Sequence, residues 1–519
     1  MGLIYTTAQA AGRRREKCKP KKFSSVRKAA DSQAPNVDRC IREGYQKYRK
    51  DVLSDSTWRD TDHHIENLVF SGGGIKSYAF IGALQALEDC GAYSKIKRLS
   101  GSSGGAICAG LMAVGFNPQE IADIFSPDAT WLFKDQPMLP LFCLPNVFKK
   151  FGIHPAKRVY NYFGIRFKEK VGNADITFKQ VYEELGRELI IPVTNLNTRQ
   201  CEYCHHTTTP DLSIRLAMRM TMSFPVMYQP VNATINGQKG TYLDGGTLDH
   251  YPIHVFDGSF PDINQNKSDS AFRNPATLGM YVMSEKATDY HIWKTLFERE
   301  LPNRPFYVPD SKLARSRLKG KHPLKMENQR RGDKLSCMGS MARAISTRDL
   351  APLLLWPETE TDIQIKNFGD FFLAAIETVI VNHRKMLVKP EDIDRTVSIN
   401  CGHIDTNDYD LEAEDRLFLL RQGYECTRRF LLERNSDETQ KNQVQQNQVQ
   451  QNQVQQNQVQ QNQVQQNQVQ QNQETETSSS SSISSATEES SSTVDSGYDG
   501  SSRIVHRHPD GRVSIETIV

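Results

Sequence analysis

Cysteine is sparse, with ten residues spread over 519 positions and no spacing that suggests a disulfide framework. Charge of one sign is equally scarce. Lys and Arg number 64 against 61 Asp and Glu, a net of +3, which disfavours whole-chain nucleic-acid binding because that calls for a strongly basic domain. The N-terminus lacks the basic-then-apolar order of a secretory signal, since its short apolar start precedes its basic run. Long apolar runs are also missing. The longest uncharged stretch outside the Asn/Gln repeats, Leu99 to Gln119, is interrupted by Gly101, Ser102, Ser103, Gly104, Gly105 and Gly110, which argues against a membrane span. The hydrophobic fraction is only 38%, and the deficit is concentrated in residues 435–519. Upstream of them the composition is that of an ordinary globular protein. These absences predict a reduced, intracellular, non-secreted protein.

Three regions follow from the composition. Residues 1–60 are polar and basic, with a cluster from Arg13 to Lys28, and are expected to be a flexible extension. Residues 61–434 carry the globular pattern, with a motif core at 66–260. From Asn442 the chain runs through six copies of Asn-Gln-Val-Gln-Gln. A period of five fits neither a strand nor a helix face, and one Val per repeat buries little, so residues 435–519 read as a disordered low-complexity tail. Inside the globular region, Leu68-Val69-Phe70 is a buried strand stopped by Ser71-Gly72-Gly73-Gly74. Ile75 to Cys90 has helical spacing and Gly91 to end it. Ile96 to Leu99 is a second strand, followed by a turn and a helix at Ala106 to Val114. This alternation begins an α/β fold with a parallel sheet. Helices are expected at Phe178 to Leu185, Ile214 to Met222, Phe371 to His383 and Leu411 to Leu432. Strands are expected at Leu189 to Leu196 and Val397 to Asn400, with Tyr242-Leu243 ending another.

The chemistry-bearing residues lie in three places. Gly101-Ser102-Ser103-Gly104-Gly105 fits G-x-S-x-G with Ser103 central, the small residues permitting the sharp strand-to-helix turn that lifts a hydroxyl above a sheet. The helix after it points its N-terminal amides at charge developing during attack. Gly72, Gly73 and Gly74 let backbone N–H groups converge on an oxyanion without a Cβ in the way. The competing readings are a plain tight turn or a phosphate loop, and neither dinucleotide nor P-loop spacing fits. A serine nucleophile needs a base. Asp244, in Asp244-Gly245-Gly246 at a strand end, becomes one if burial raises its pKa; a turn-forming aspartate is the competing reading. A Ser–Asp–His triad drawing on His383 or His403 is permitted by chain order. It is disfavoured because only one strand–helix unit precedes Ser103.

Together, in this order, these elements resemble the patatin-like phospholipase family. Leu68 to Gly74 with Lys76 is similar to its glycine-rich oxyanion loop, Gly101 to Gly105 to its nucleophile elbow, and Asp244-Gly245-Gly246 to its base motif. Asp175-Ile176-Thr177-Phe178, Pro192-Val193-Thr194-Asn195-Leu196 and Ser223-Phe224-Pro225 are similar to segments usual between them. The resemblance covers roughly 65–260 and weakens towards 430. It departs at Ser77, where the family often has Gly, and at His250, where Asn is common. It implies a three-layer α/β/α fold with a central mainly parallel sheet and disordered extensions at both ends. It also implies calcium-independent, cofactor-free hydrolysis of glycerolipid acyl esters by Ser103 and Asp244. The oxyanion donors would come from Gly72, Gly73, Gly74 and Gly104, with Lys76, Gly101, Gly105, Gly245 and Gly246 supporting the motifs. A phospholipid is the expected substrate, with a neutral acylglycerol or a turnover-free membrane scaffold as alternatives.

Other signals bear on partners. Cys201-Glu202-Tyr203-Cys204-His205 fits a haem-attachment pattern, but a hairpin is expected there and no metal site. Residues Trp131 to Lys170 interleave aromatic residues with Lys149, Lys150, Lys157, Arg158 and Arg166. That mixture suits either an interface-seeking surface, which implies peripheral association with anionic membranes, or a cap with its rings packed inward. Lys312 to Lys334 is a second basic segment, expected to be a solvated loop. Gly2 fits a myristoylation acceptor, with Cys18 in the basic cluster as a palmitoylation candidate; the same run also suits nuclear import. Thr517-Ile518-Val519 suits a PDZ domain.

Overall fold

The computed structural model describes residues 4–6, 45–50, 52, 58, 63–125, 128–136, 140–258, 273–285, 287–298, 305, 307–318, 378–380, 383–434, 494–496, 502–507 and 513–518. Gly2, Cys18, the Arg13–Lys28 cluster, the Asn-Gln-Val-Gln-Gln repeats and Val519 lie outside the described residues, as does most of Phe371 to His383. Contacts divide the chain into two units, Met1–Asp437 and Glu438–Val519.

In the first unit the strands are β1 (Ile4–Thr6), β2 (Asn67–Phe70), β3 (Arg98–Gly101), β4 (Gly152–His154), β5 (Glu188–Asn195), β6 (Gln200–Cys204), β7 (Val226–Tyr228), β8 (Val231–Ile235), β9 (Gln238–Asp244), β10 (Thr277–Met283) and β11 (Thr396–Asn400). Nine of them form one sheet in the order β1-β8-β9-β5-β3-β2-β10-β11, with β6 also on β5. The run from β5 to β11 is parallel throughout; β6 and β9 join β5 antiparallel. β2, β10 and β11 are buried along their whole length, as strands covered by helices on both faces must be. β4 and β7 pair separately.

The helices that set the site are α1 (Tyr78–Asp89), α2 (Gly104–Ala113), α3 (Pro140–Lys150), α4 (Lys157–Val171), α5 (Phe178–Leu185), α6 (Ile214–Thr221) and α7 (Ala287–Phe297). Local chemistry explains their limits. α5 begins with a reciprocal Thr177/Gln180 capping box and ends at Gly186 with φ +63°, a left-handed position suited to glycine. α1 and α2 are buried nearly all round: α1 packs on a long helix at 413–434, and α2 on α6. Ala113, Leu111, Phe80, Leu84, Leu419 and Tyr424 are among the fully buried residues of the main core.

The 1–60 extension is tied in at its end. Tyr45 and Trp58 are buried in that core, and Tyr45 packs edge-on to Tyr424. Cys201 to Cys204 lies in the β5/β6 hairpin as expected. The second unit contains β12 (Val494–Ser496), β13 (Ser502–Arg507) and β14 (Val513–Ile518), paired antiparallel in that order. The composition of 435–519 did not suggest these strands. Thr517 and Ile518 pair with Arg503 and Ser502.

Candidate active site

Parallel register creates the site. Phe70 of β2 stands opposite Gly101 of β3, so the glycine loop after one strand and the Ser102-Ser103 turn after the other leave the sheet side by side. Ser103 has φ +50° and ψ −121°, the strained backbone of a nucleophile elbow. Its flanking glycines are required by contact. A Cβ on Gly101 would fall 2.6 Å from the Gly105 carbonyl, and one on Gly105 would fall 2.4 Å from the Ser71 oxygen.

The Ser103 hydroxyl donates to Asp244 Oδ2 at 2.8 Å, across 141 residues of sequence. The second carboxylate oxygen, Oδ1, accepts from the Gly246 N–H at 2.7 Å, an Asx-type closure supplied by the first helical turn after β9. The Asp244 backbone is held on both sides: its N–H donates to the Ser223 carbonyl, and its carbonyl accepts from Thr194 Oγ1. Gly245 sits against Pro192, where a Cβ would meet the carbonyl oxygen at 2.1 Å. Asp244 is buried at 3% exposure. Burial raises its pKa from 3.8 to about 7, against the opposing effects of the Ser103 and Gly246 hydrogen bonds and the Arg384 charge.

Sequence reasoning passed over Thr221. Its Oγ1 accepts the Ser103 N–H at 3.2 Å and donates to the Pro192 carbonyl, tying the elbow to the end of α6 and to β5. The only signal was its place just before Ser223-Phe224-Pro225.

The oxyanion candidates separate. Gly72 is corrected: its N–H donates to the His250 carbonyl at 2.9 Å and is committed to structure. Among the described residues no acceptor takes the N–H of Gly73, Gly74 or Gly104. A Cβ on Gly104 would lie 3.2 Å from the Gly74 nitrogen, so the loop closes directly over the start of α2. The His250 ring packs on Gly72 and Gly246, 2.6 and 3.0 Å from where their Cβ atoms would be. The residue that departs from the family pattern therefore bridges the loop bearing Asp244 to the glycine loop. Burial, Arg384 and Lys76 hold its imidazole well below its usual pKa, which favours the neutral form.

Lys76 is turned into the protein. Its ammonium is buried and pairs with Asp289 of α7 at 2.5 Å, and Asp289 also accepts from the backbone and hydroxyl of Ser284. Desolvation opposes the charge on Lys76, but Asp289 outweighs it and raises the pKa. The second departure, Ser77, has a buried hydroxyl with no hydrogen-bond partner. Neither triad candidate joins the pair: His403 bonds Asp415 at 2.8 Å, and the buried Nδ1 of His383 has no partner. Among the described residues no cluster of three His, Cys, Asp or Glu could hold a metal ion, and no helix is long and apolar enough to cross a membrane. In the second basic segment, Arg315 and Arg317 pair with Asp310 and Asp408.

The chain is similar in sequence to proteins of one family. The patatin-like phospholipase profile matches residues 68–257. An uncharacterized protein of Acanthamoeba polyphaga mimivirus is 33% identical over 201 residues, 38% of this chain and 63% of that one. A protein of Invertebrate iridescent virus 6 named "Probable lipid hydrolase" is 25% identical over 214 residues, 40% of this chain and 68% of its own. Among solved structures, VipD from Legionella pneumophila covers 71% of this chain and 67% of its own at 17% identity, with a TM-score of 0.38. The chain thus spans 63% of the length of the mimiviral relative. Residues 68–257 are a patatin-like phospholipase domain.

Proposed function

We propose that the protein is a lipid acyl hydrolase that cleaves fatty acyl esters of glycerophospholipids through Ser103 and Asp244. The 2.8 Å hydrogen bond from the serine hydroxyl to the buried carboxylate carries this reading. It joins a strained nucleophile to a base whose pKa lies near neutrality, where general-base catalysis is most effective. The family profile and the viral relative's name support ester hydrolysis.

In the proposed reaction Ser103 Oγ attacks the acyl carbonyl while Asp244 takes its proton. The amides of Gly73, Gly74 and Gly104 receive the oxyanion; one such donor is typically worth about 10²–10³ in rate. The tetrahedral intermediate collapses, the glycerol oxygen leaves with the proton from Asp244, and an acyl ester remains on Ser103. Water then attacks that ester, giving its proton to Asp244, and the fatty acid departs as Ser103 recovers its hydrogen. Thr221 and Gly246 hold the two reacting side chains in register throughout.

Fatty acid release from defined phospholipids and triglycerides, with and without EDTA, tests the reading. Wild type releases fatty acid from phospholipid equally in both conditions. Ser103→Ala and Asp244→Asn lower kcat by about 10³-fold or more, with the folded state retained. Equal release by all three proteins would refute the assignment, and release confined to triglyceride would move it to a neutral-lipid substrate.

A further inference from the structure

The end of α3 leaves in water side chains that folding ordinarily buries. Phe148 is 77% exposed and Phe151 70% exposed, and Lys149 and Lys150 stand between them in sequence. Among the described residues neither lysine has an acidic partner. β4 follows at once and pairs in parallel with β7, Gly152 opposite Val226. Val226 is 38% exposed and Phe224, two residues before it, 37%. Phe151 and Val226 therefore stand at two adjoining strand starts, with Phe148 on the last turn of α3 and Phe224 just ahead of β7.

Backbone strain marks the same place. Phe151 has φ +61° and Val226 φ +70°, left-handed values that bulky and β-branched residues rarely adopt. Burial within the protein does not repay that strain, because both side chains face solvent. One exposed residue, Phe224, is also a chain neighbour of a residue that holds the proposed base. Ser223, next to Phe224, accepts the Asp244 N–H through its carbonyl at 3.1 Å. Apart from the dyad, a pocket of 150 Å³ lies beside the lysines, lined in part by Lys149, Lys150, Phe151, Pro230 and Asn232. Elsewhere in the Trp131–Lys170 segment Leu132, Phe133, Tyr162 and Phe163 are buried. Most described rings of that segment thus pack inward as a cap, and Phe148 and Phe151 do not.

We propose that Phe148, Phe151, Phe224 and Val226, with Lys149 and Lys150, form the surface by which the protein docks on an anionic bilayer. The rings enter the acyl boundary and the ammonium groups meet lipid phosphates, with Phe224 joined through Ser223 to the backbone of Asp244. The order ring, cation, cation, ring selects a bilayer over a protein partner. Lysine is depleted at protein–protein interface cores, whereas at a bilayer the ammonium snorkels to head-group depth beside an inserted ring. The assignment rests on the lipid-hydrolase reading for its purpose, but its test is separate.

Full-length protein is sedimented with vesicles of phosphatidylcholine alone and of phosphatidylcholine with phosphatidylserine, and hydrolysis of soluble p-nitrophenyl butyrate is followed in parallel. Wild type partitions onto the anionic vesicles. Phe148→Ser/Phe151→Ser lowers that partitioning by about tenfold or more. Lys149→Glu/Lys150→Glu lowers it by about thirtyfold on anionic vesicles and little on neutral ones. Both leave soluble-ester hydrolysis unchanged. Equal partitioning by all three proteins overturns the docking surface even where Ser103-dependent ester hydrolysis is intact. Conversion of a dimer to a monomer by the Phe pair, with vesicle binding retained, overturns it in favour of a contact between copies of this chain. Phe- and Lys-dependent vesicle binding without Ser103-dependent ester hydrolysis upholds the surface and overturns the hydrolase reading.

Discussion

In the proposed reaction Asp244 takes the role usually given to histidine, and its surroundings supply the basicity this needs. An exposed carboxylate is a poor proton acceptor at neutral pH. Burial lifts this one to about 7, and the ionised form is the one that accepts the Ser103 proton. Turnover should therefore rise with pH through an apparent pKa near 7 and then level off, as measured by kcat/KM on a soluble ester between pH 5 and about 9. A profile flat across that range would contradict the assignment of the base. The same shift opposes folding at working pH. With the folded pKa above the ordinary 3.8, the group's contribution to stability is full below that ordinary value and is lost as pH rises through about 7. Asp244→Asn removes this penalty, so it should abolish turnover without lowering the unfolding midpoint at pH 8. Lys76 shows the opposite economy: a buried cation tolerated because Asp289 meets it, and strongly destabilising if left alone.

At the scale of elements, the site depends on two helices that cross closely. A Cβ on Gly82 of α1 would fall 1.8 Å from the Leu420 oxygen, and one on Gly423 would fall 1.8 Å from the Ala79 oxygen. The two glycines face each other across the contact, and α1 continues directly from the glycine loop. Gly423→Val should cost about 1–3 kcal/mol by overpacking, read as a lower midpoint in thermal unfolding; an unchanged midpoint would show that the contact is slack. Much at this scale was legible in the sequence. α5 and Gly186 fell where the apolar spacing put them, because the capping box and the left-handed glycine are local signals. The elbow and the glycine loop were legible for the same reason. What stayed hidden is non-local: Thr221 meets Ser103 across 118 residues, and Lys76 meets Asp289 across 213. The commitment of the Gly72 amide to His250 is likewise set by tertiary packing, which no spacing along the chain encodes.

Across the whole molecule, composition gives a coarser signal than the motifs do. The polar, basic character of residues 1–60 concealed Tyr45 and Trp58, which bury their rings in the main core because isolated aromatics in a charged segment carry no periodic signal. Every residue of the proposed chemistry lies in Met1–Asp437. A chain ending at Asp437 should accordingly keep soluble-ester turnover within about twofold of the full chain, since catalysis depends on groups in contact with the reacting atoms. A truncated protein that folds but has lost turnover would make the second unit part of the catalytic apparatus. The account as a whole stands on the identity of one nucleophile. A fluorophosphonate probe, followed by mass-spectrometric mapping of the adduct, reads that identity directly. The adduct is predicted on Ser103, lost in Ser103→Ala and formed far more slowly in Asp244→Asn; equal labelling of Ser103→Ala, or an adduct on another residue, would contradict the account.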